Sequence, residues 1–135
     1  MKESLKPGVS ASKSFKIEKD STIDFMGEAL RVYATPILVR DIEHTCRDLI
    51  VEHCDDGEDS VGTHVDVAHT GATPLGMTVE ITVTVTEVKG RHVTLEVSAK
   101  DDIEDVASGK HSRFVVDMAK TKERLTAKVA KVAKS

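Results

Sequence analysis

The sequence predicts an α+β fold in which an antiparallel sheet wraps around one long central helix, with a further helix at the C-terminus. One segment in the first half repeats apolar residues at helical spacing, and several later segments alternate apolar and polar residues with the period of a strand. Alternating strands bury one face and need a cover, and only one sizeable helix is available to provide it. The hotdog fold has this arrangement.

The beginning of the chain gives weaker signals. Residues 1–12 are expected to form a loose arm, and the segment "KSFKIEK" that follows is a short strand candidate. Residues 20–36 look irregular and end at Pro36, which favours an extended residue before it. The element order therefore starts with one strand and an irregular connection.

The central helix is predicted over residues 37–54. Its apolar stripe runs through "LVRDIEHTCRDLIVEHC" and consists of Leu38, Ile42, Cys46, Leu49 and Ile50. The segment "DDGEDS" that follows has loop composition, and its Gly57 is typical of a helix end.

Four strands are predicted after this helix. The first, "HVDVAH", places Val65, Val67 and His69 on one face. The next two alternate cleanly, with "KG" as the hairpin turn between them. Their inward residues are predicted to be Val79, Ile81, Val83, Val93, Leu95 and Val97. Residues 105–118 form a longer strand, in which Gly109 indicates a bulge or a close backbone approach.

A basic tail helix is predicted over residues 119–135, with Leu125, Val129 and Val132 at spacings of four and three. This tail carries a net charge of +5 within a chain of net charge −4, which leaves −9 for the rest. Its cations either contact the phosphates of a ligand such as coenzyme A or form a solvated surface.

Composition limits the class of protein. The length of 135 residues and the apolar content of 39% suit a single domain, residues 1–135, with one core. The balance of 19 basic against 23 acidic side chains argues against a nucleic-acid partner. No apolar leader and no run of membrane-spanning length is visible, so we expect a soluble, cytoplasmic protein that has no membrane partner.

The two cysteines are expected to be free thiols. Eight helical residues separate Cys46 from Cys54 by about 12 Å, which is too far for a disulfide. Together with His44 and His53 they resemble metal ligands in type only. Residues 44 and 46 point about 200° apart on a helix, and the set lacks the usual zinc spacing. We therefore expect no metal site, and we expect no cofactor.

Three polar residues stand at positions where the patterns call for something else. His69 lies on an apolar strand face, Glu43 lies at the margin of the helix stripe, and Thr35 precedes the helix. Each has an ordinary structural role available: a satisfied core histidine, a surface carboxylate bonded to a neighbour, and a helix cap. Together they would place an imidazole, a carboxylate and a hydroxyl where a strand end meets a helix start.

Such a trio is suited to acyl transfer. Glu43 can attack a carbonyl or activate a water, and His69 can move protons near neutral pH. Thr35 can orient the nucleophile or the carbonyl oxygen, and the N–H groups at a helix start can stabilise an oxyanion. The chain contains no G-x-S-x-G motif and no cysteine in a nucleophile context, which argues against a serine or cysteine hydrolase.

The segments "VYATPILVRDIEHTC", "GTHVDVAHTGATPLG" and "GKHSR" resemble the fluoroacetyl-CoA thioesterase family of hotdog-fold enzymes. The resemblance covers roughly residues 30–120, and "VAHTGATPLGMTV" is its most specific part. It implies that Thr35, Glu43 and His69 are catalytic. It also implies that Gly62 and Arg113 contact the substrate.

The chain departs from the family pattern at several positions. The segment before Thr35 is shorter than the family's aromatic lid and offers only Phe25 and Tyr33. Pro36 replaces the usual glycine, and Gly71 replaces an alanine. We therefore expect a more open cleft near Phe25 and Tyr33, and little selectivity for fluoroacetate.

The leading hypothesis is a homodimeric acyl-CoA thioesterase that acts on a small or medium acyl-CoA. In this hypothesis two sheets join edge to edge and the site lies at the subunit boundary, because natural proteins rarely leave a sheet edge bare. One alternative is a hotdog module that binds acyl-CoA without catalysis. The other is a 3-hydroxyacyl-thioester dehydratase, which also uses a histidine and a carboxylate but places them differently along the chain.

Overall fold

The computed structural model describes residues 1–133 as seven strands and two α-helices. In chain order these are β1 (Ser10–Lys16), β2 (Thr22–Ile23), β3 (Val32–Tyr33), α1 (Thr35–Val51), β4 (Glu58–His69), β5 (Thr78–Lys89), β6 (His92–Lys100), β7 (Asp105–Asp117) and α2 (Met118–Ala133). Lys134 and Ser135, the last two residues of the predicted tail helix, lie outside the described residues.

Five strands form one antiparallel sheet in the order β1-β5-β6-β7-β4. The two short strands, β2 and β3, pair with each other separately. All six residues predicted to face inward on β5 and β6 are buried, so the predicted register of this hairpin is confirmed. Gly90 turns the chain between the two strands with a φ of 62°.

Helix α1 packs on the inward face of this sheet. Every residue of its predicted apolar stripe is buried: Leu38, Ile42, Cys46, Leu49 and Ile50. The core consists mainly of aliphatic side chains from α1 and the sheet, as the low aromatic content requires. The antiparallel sheet around one central helix is the predicted architecture.

The helix begins two residues earlier and ends three residues earlier than predicted. Pro36 lies in its first turn, where a missing N–H costs no helical hydrogen bond, so the proline does not delay the start. After Val51 the chain continues in tighter turns, in which Cys54 N–H donates to the Val51 carbonyl at 3.1 Å. The sequence pattern that predicts a helix to residue 54 thus continues past the point where α1 ends. Both cysteines are buried free thiols, as predicted.

Residues 1–12 do not form a loose arm, and that prediction was wrong. β1 begins at Ser10, and Leu5 is buried in the core. Lys2 N–H donates to the His53 carbonyl and Gly8 N–H donates to the Val85 carbonyl, both at 2.8 Å. These contacts are long-range in sequence, so no local pattern announces them.

β4 and β7 pair along almost their whole length, and two irregular positions shape them. A bulge interrupts the register between Gly62 and His64. At Gly109, a side chain would collide with the carbonyl oxygen of Asp66, which confirms the predicted close backbone approach. β4 is an edge strand of the sheet, and residues 61–66 on it are exposed.

α2 follows β7 directly and has no buried residue among those described. Its apolar residues at helical spacing, Leu125, Val129 and Val132, are all exposed. No helix within residues 1–133 has the length and apolar character needed to cross a membrane.

Candidate active site

The start of α1 is fixed by backbone hydrogen bonds from two sides. Tyr33 N–H donates to the Thr73 carbonyl at 2.8 Å, and Ala34 N–H donates to the Ser21 carbonyl at 2.9 Å. Ala34 is the N-cap and supplies no side-chain cap. Thr35 is the first residue of the helix, so its hydroxyl does not take the capping role that its sequence position suggests.

The Thr35 hydroxyl instead contacts His69. Thr35 Oγ1 and His69 Nδ1 share a hydrogen bond of 2.8 Å. The contact forms because His69 is the last residue of β4, and this strand ends beside the first turn of α1. The predicted meeting of a strand end and a helix start therefore exists in the structure.

The other ring nitrogen of His69, Nε2, lies in a different environment. Nε2 is buried and has no hydrogen-bond partner within residues 1–133. Burial lowers the pKa of His69 below its ordinary value of 6.5, against a smaller opposing effect of the Gly71 backbone. The imidazole is therefore neutral at neutral pH, and it has one ring nitrogen available to a bound molecule.

Tyr33 forms the wall behind His69. The two rings meet edge to face, with centroids 6.2 Å apart. Tyr33 O–H donates to Asp41 Oδ2 at 2.5 Å, and the tyrosine is only 1% exposed. The expectation that Tyr33 borders an open cleft was therefore wrong, because the ring is a core residue. Phe25, in contrast, is 88% exposed.

Glu43 lies two turns further along α1, in a second cluster. Its Oε1 is 3.4 Å from Arg113 Nη1 and 3.9 Å from His111 Nε2. The glutamate side chain is 40% exposed, whereas the histidine and the arginine are buried. The carboxylate is thus held from below by a cation and remains open to solvent on its other side.

Gly62 makes this position of Glu43 possible. It pairs with Arg113 across β4 and β7. A side chain at residue 62 would collide with Glu43 Oε1 and would come within 3.3 Å of His111 Cε1. The glycine therefore leaves space for the carboxylate, whatever contact it also makes with a substrate.

Arg113 is anchored at three edges of its guanidinium group. Nε donates to Ser60 Oγ at 2.7 Å and Nη2 donates to the Ser60 carbonyl at 2.8 Å. Nη1 faces His111 Nε2 at 3.2 Å and Glu43. Burial lowers the pKa of Arg113, and the carboxylate of Glu43 opposes this effect. A buried guanidinium that keeps its charge needs such partners.

The five predicted site residues thus divide into two groups. Thr35 and His69 form one group, and Glu43, Gly62 and Arg113 form the other. Eight helical residues place Thr35 and Glu43 about 12 Å apart along α1. Within residues 1–133, no hydrogen bond joins one group to the other.

Sequence reasoning missed His111 and Ser60. The signal for His111 was present, because residues 111, 113 and 115 share one face of β7 by alternation. A histidine and an arginine at consecutive inward positions are unusual in a strand that otherwise buries valines. Ser60 had no comparable signal, since its role depends on where Arg113 reaches.

Comparisons with known proteins show which family the chain resembles. The model of the family described as "FlK: Fluoroacetyl-CoA-specific thioesterase" matches residues 17–119. The chain is 32% identical over 127 residues to the fluoroacetyl-CoA thioesterase of Streptantibioticus cattleyicolor, which covers 89% of this chain and 91% of that protein.

Two solved structures extend the comparison. A variant of the fluoroacetyl-CoA-specific thioesterase FlK in complex with fluoroacetate and CoA has a TM-score of 0.80 at 31% identity, over 87% of this chain and 99% of that one. A hot-dog-like protein from Thermanaerovibrio acidaminovorans has a TM-score of 0.83 at 24% identity, over 90% and 91% of the two chains, and shows the fold alone. The predicted hotdog fold is confirmed.

Proposed function

The chain belongs to the fluoroacetyl-CoA-specific thioesterase family and is an acyl-CoA thioesterase. From this membership we propose that it hydrolyses small or medium acyl-CoA thioesters and that Thr35, Glu43 and His69 are its catalytic residues. The observation that carries the assignment of these residues is the 2.8 Å hydrogen bond between Thr35 and His69, which leaves His69 Nε2 buried and without a partner within residues 1–133. A buried nitrogen in that state is costly unless a ligand or water uses it.

His69 acts as the base. We assign Nδ1–H as the donor to Thr35 Oγ1, which leaves the lone pair of the imidazole on Nε2. Because burial lowers the pKa of His69, this lone pair is free at neutral pH. A base that is neutral at the working pH is what proton abstraction from water requires.

Glu43 acts as the nucleophile. Its carboxylate attacks the thioester carbonyl carbon, the carbon–sulfur bond breaks, and coenzyme A leaves as a thiolate. Water then attacks the resulting mixed anhydride and gives a proton to His69 Nε2. The acid is released, Glu43 is regenerated, and the proton passes to the thiolate.

In this proposal the charge that develops on the carbonyl oxygen lies near the start of α1 in the subunit that supplies His69. Since Thr35 Oγ1 accepts from His69, its own hydrogen is available to that oxygen. The N-terminus of a helix also favours negative charge. These two effects stabilise the oxyanion in the same place.

A second copy of the chain brings the two groups of site residues together. Glu43 and Thr35 are about 12 Å apart in one subunit, which is too far to act on one carbonyl carbon. β4 is a long edge strand whose middle, residues 61–66, is exposed. Antiparallel pairing of two such strands about that middle would set residue 69 of one subunit opposite residue 58 of the other, toward the half of β4 that includes Gly62, beside Glu43. The proposed enzyme is a homodimer with two sites at the subunit boundary.

We further propose that the protein is cytoplasmic. Cys46 and Cys54 are both buried free thiols, and unpaired cysteines are typical of reducing compartments.

Release of coenzyme A thiol from acetyl-CoA and from longer acyl-CoA substrates tests the activity. Wild-type protein should turn over many equivalents, whereas a module that only binds acyl-CoA would release none. His69→Ala should release one equivalent per site and then stall with an acylated Glu43, which intact-mass spectrometry detects. Glu43→Gln should show neither the burst nor the added mass. Steady turnover without a burst in His69→Ala would contradict the nucleophilic role.

A further inference from the structure

We propose that His111 is a positioning residue for the thioesterase reaction, because it holds the Arg113 guanidinium against the attacking carboxylate of Glu43. This inference rests on the proposed function of Glu43. It concerns a residue that lies beneath the site and has no open face to a substrate, since its side chain is fully buried.

The hydrogen bonds of His111 determine which nitrogen carries its hydrogen. Nδ1 lies 2.8 Å from the carbonyl oxygen of His64, which can only accept, so Nδ1 is the donor. In a neutral ring Nε2 then carries the lone pair, and it faces Arg113 Nη1 at 3.2 Å. His111 therefore accepts a hydrogen bond from the arginine on one side and is fixed to the β4 backbone on the other.

This acceptor completes the set of contacts that orients Arg113. Ser60 holds Nε and Nη2, and these two bonds alone leave Nη1 shared between water and Glu43. His111 gives Nη1 a rigid second partner on the side away from solvent. The arginine can then present the remaining hydrogen to Glu43 Oε1 at 3.4 Å.

The neutral state of His111 is supported by its surroundings. Burial lowers the pKa of His111, and the nearby cation of Arg113 acts in the same direction. The backbone of His64 on β4 and the carboxylate of Glu43 on α1 oppose the shift, while the side chain of His64 adds to it. A protonated ring would lose its acceptor and would direct N–H groups at the guanidinium.

The histidine also closes the space beneath the glutamate. A side chain at Gly62 would come within 3.3 Å of His111 Cε1, so the ring forms the floor under the carboxylate. Glu43 is thus confined by the ring below, by the glycine at the side and by the guanidinium charge. A carboxylate that attacks a carbon needs this confinement, because a displacement of about 1 Å can cost 10²-fold in rate.

Kinetics of four variants test the role. His111→Leu removes both hydrogen bonds, His111→Gln restores an acceptor for Arg113, and Glu43→Gln removes the group through which His111 acts. Val83→Ala is the matched control, because it weakens an equally buried position on β5 that lies away from the cluster. Thermal unfolding of each variant shows how much of its loss in kcat comes from lost stability.

We expect His111→Leu to lower kcat by about 10- to 100-fold with a smaller change in KM, and His111→Gln to recover part of that loss. Val83→Ala should keep kcat within about twofold of the wild-type value, even if its unfolding temperature falls as far as that of His111→Leu. In the Glu43→Gln background, His111→Leu should lower the residual kcat by a further factor of less than about two. The effects of two residues that act through one group are not additive.

Three outcomes would overturn the inference, and only the first would also overturn the proposed function of Glu43. If Glu43→Gln alone kept near wild-type activity, the proposed function of Glu43 would fail and the role of His111 with it. If Glu43→Gln were inactive but His111→Leu lowered the residual rate by the same factor in both backgrounds, only the positioning role would fail. Equal losses in His111→Leu and His111→Gln would also count against it.

Discussion

The two groups of site residues differ in how tightly the fold holds them. The pair Thr35–His69 is joined by a single hydrogen bond, and one nitrogen of the imidazole is unpartnered within residues 1–133. Glu43 instead faces Arg113, whose guanidinium group is bonded to Ser60 and His111 as well. One group is loosely bonded at a helix start, and the other is built into the pairing of β4 with β7.

This difference follows from what each group does in the proposed reaction. A base must gain and lose a proton, so a partner that permanently occupied its free nitrogen would block it. An attacking carboxylate must keep its position while the bond forms, so fixed neighbours help it. The same helix serves both needs because its first turn lies at the end of β4 and its third turn, which carries Glu43, lies over Gly62.

The largest effects are expected from removing the two reacting groups. Glu43→Gln and His69→Ala should each lower steady-state kcat by at least ~10²-fold, because each removes a nucleophile or a base. Both variants should unfold at nearly the wild-type temperature, which circular dichroism can follow.

Two matched controls sharpen this result. Glu52→Gln makes the same change at the exposed end of α1. His53→Ala removes an imidazole that shares a 2.7 Å hydrogen bond with the Ser4 hydroxyl, a near copy of the Thr35–His69 contact outside the site. If the controls lost as much activity as the site variants, the loss would not come from the chemistry.

The pH dependence of kcat/KM should also distinguish the Thr35–His69 group from the Glu43 group. Burial lowers the pKa of His69, so the base stays neutral to below pH 6.5 and kcat/KM should fall only under that value. Below the lowered pKa the rate should drop about tenfold per pH unit, because one proton inactivates the site. An acid limb with its midpoint above pH 6.5 would contradict the role of His69, and this limb should be absent from the residual activity of His69→Ala.

A smaller effect is expected for Thr35→Ala. The hydroxyl orients His69 and the oxyanion, and water can replace part of both roles, so kcat should fall by roughly tenfold. Ser4→Ala is the control, since it removes the hydroxyl from the comparable contact with His53. A loss as large as that of Glu43→Gln would mean that the hydroxyl takes part in bond making.

The smallest effect concerns substrate choice. Phe25 is 88% exposed and Tyr33 is buried, so among residues 1–133 neither of these two rings closes over the site as a lid. We expect kcat/KM for fluoroacetyl-CoA and acetyl-CoA to differ by less than ~10³-fold, about 4 kcal/mol of discrimination. A larger preference for the fluorinated substrate would contradict the open site, and would mean either that Phe25 and Met26 form a lid or that the partner subunit supplies one.

The fold could be predicted further than the site, for physical reasons that particular residues show. The stripe from Leu38 to Ile50 and the alternation on β5 and β6 are local patterns, and both are buried as expected. The contact of Thr35 with His69 follows from two adjacent element ends. The burial of Leu5 in the core and the role of His111 could not be predicted in this way.

Those two cases depend on long-range geometry. Leu5 packs into a core assembled from distant segments. His111 meets the carbonyl of His64 only because a bulge between Gly62 and His64 sets the register of β4 against β7. Gly71 is similar, because a side chain there would lie 2.5 Å from the Asp105 carbonyl oxygen, which accounts for a glycine at this position.

Mixed dimers of two inactive variants test most directly whether the site is shared between subunits. Glu43→Gln and His69→Ala subunits are unfolded together and refolded at equal concentrations. If Glu43 acts with the partner's His69, each mixed dimer regains one intact site of two. Random pairing should then restore about a quarter of wild-type activity. If each site lies within one subunit, every site in the mixture carries a defect, and the activity should stay at the level of the separate variants.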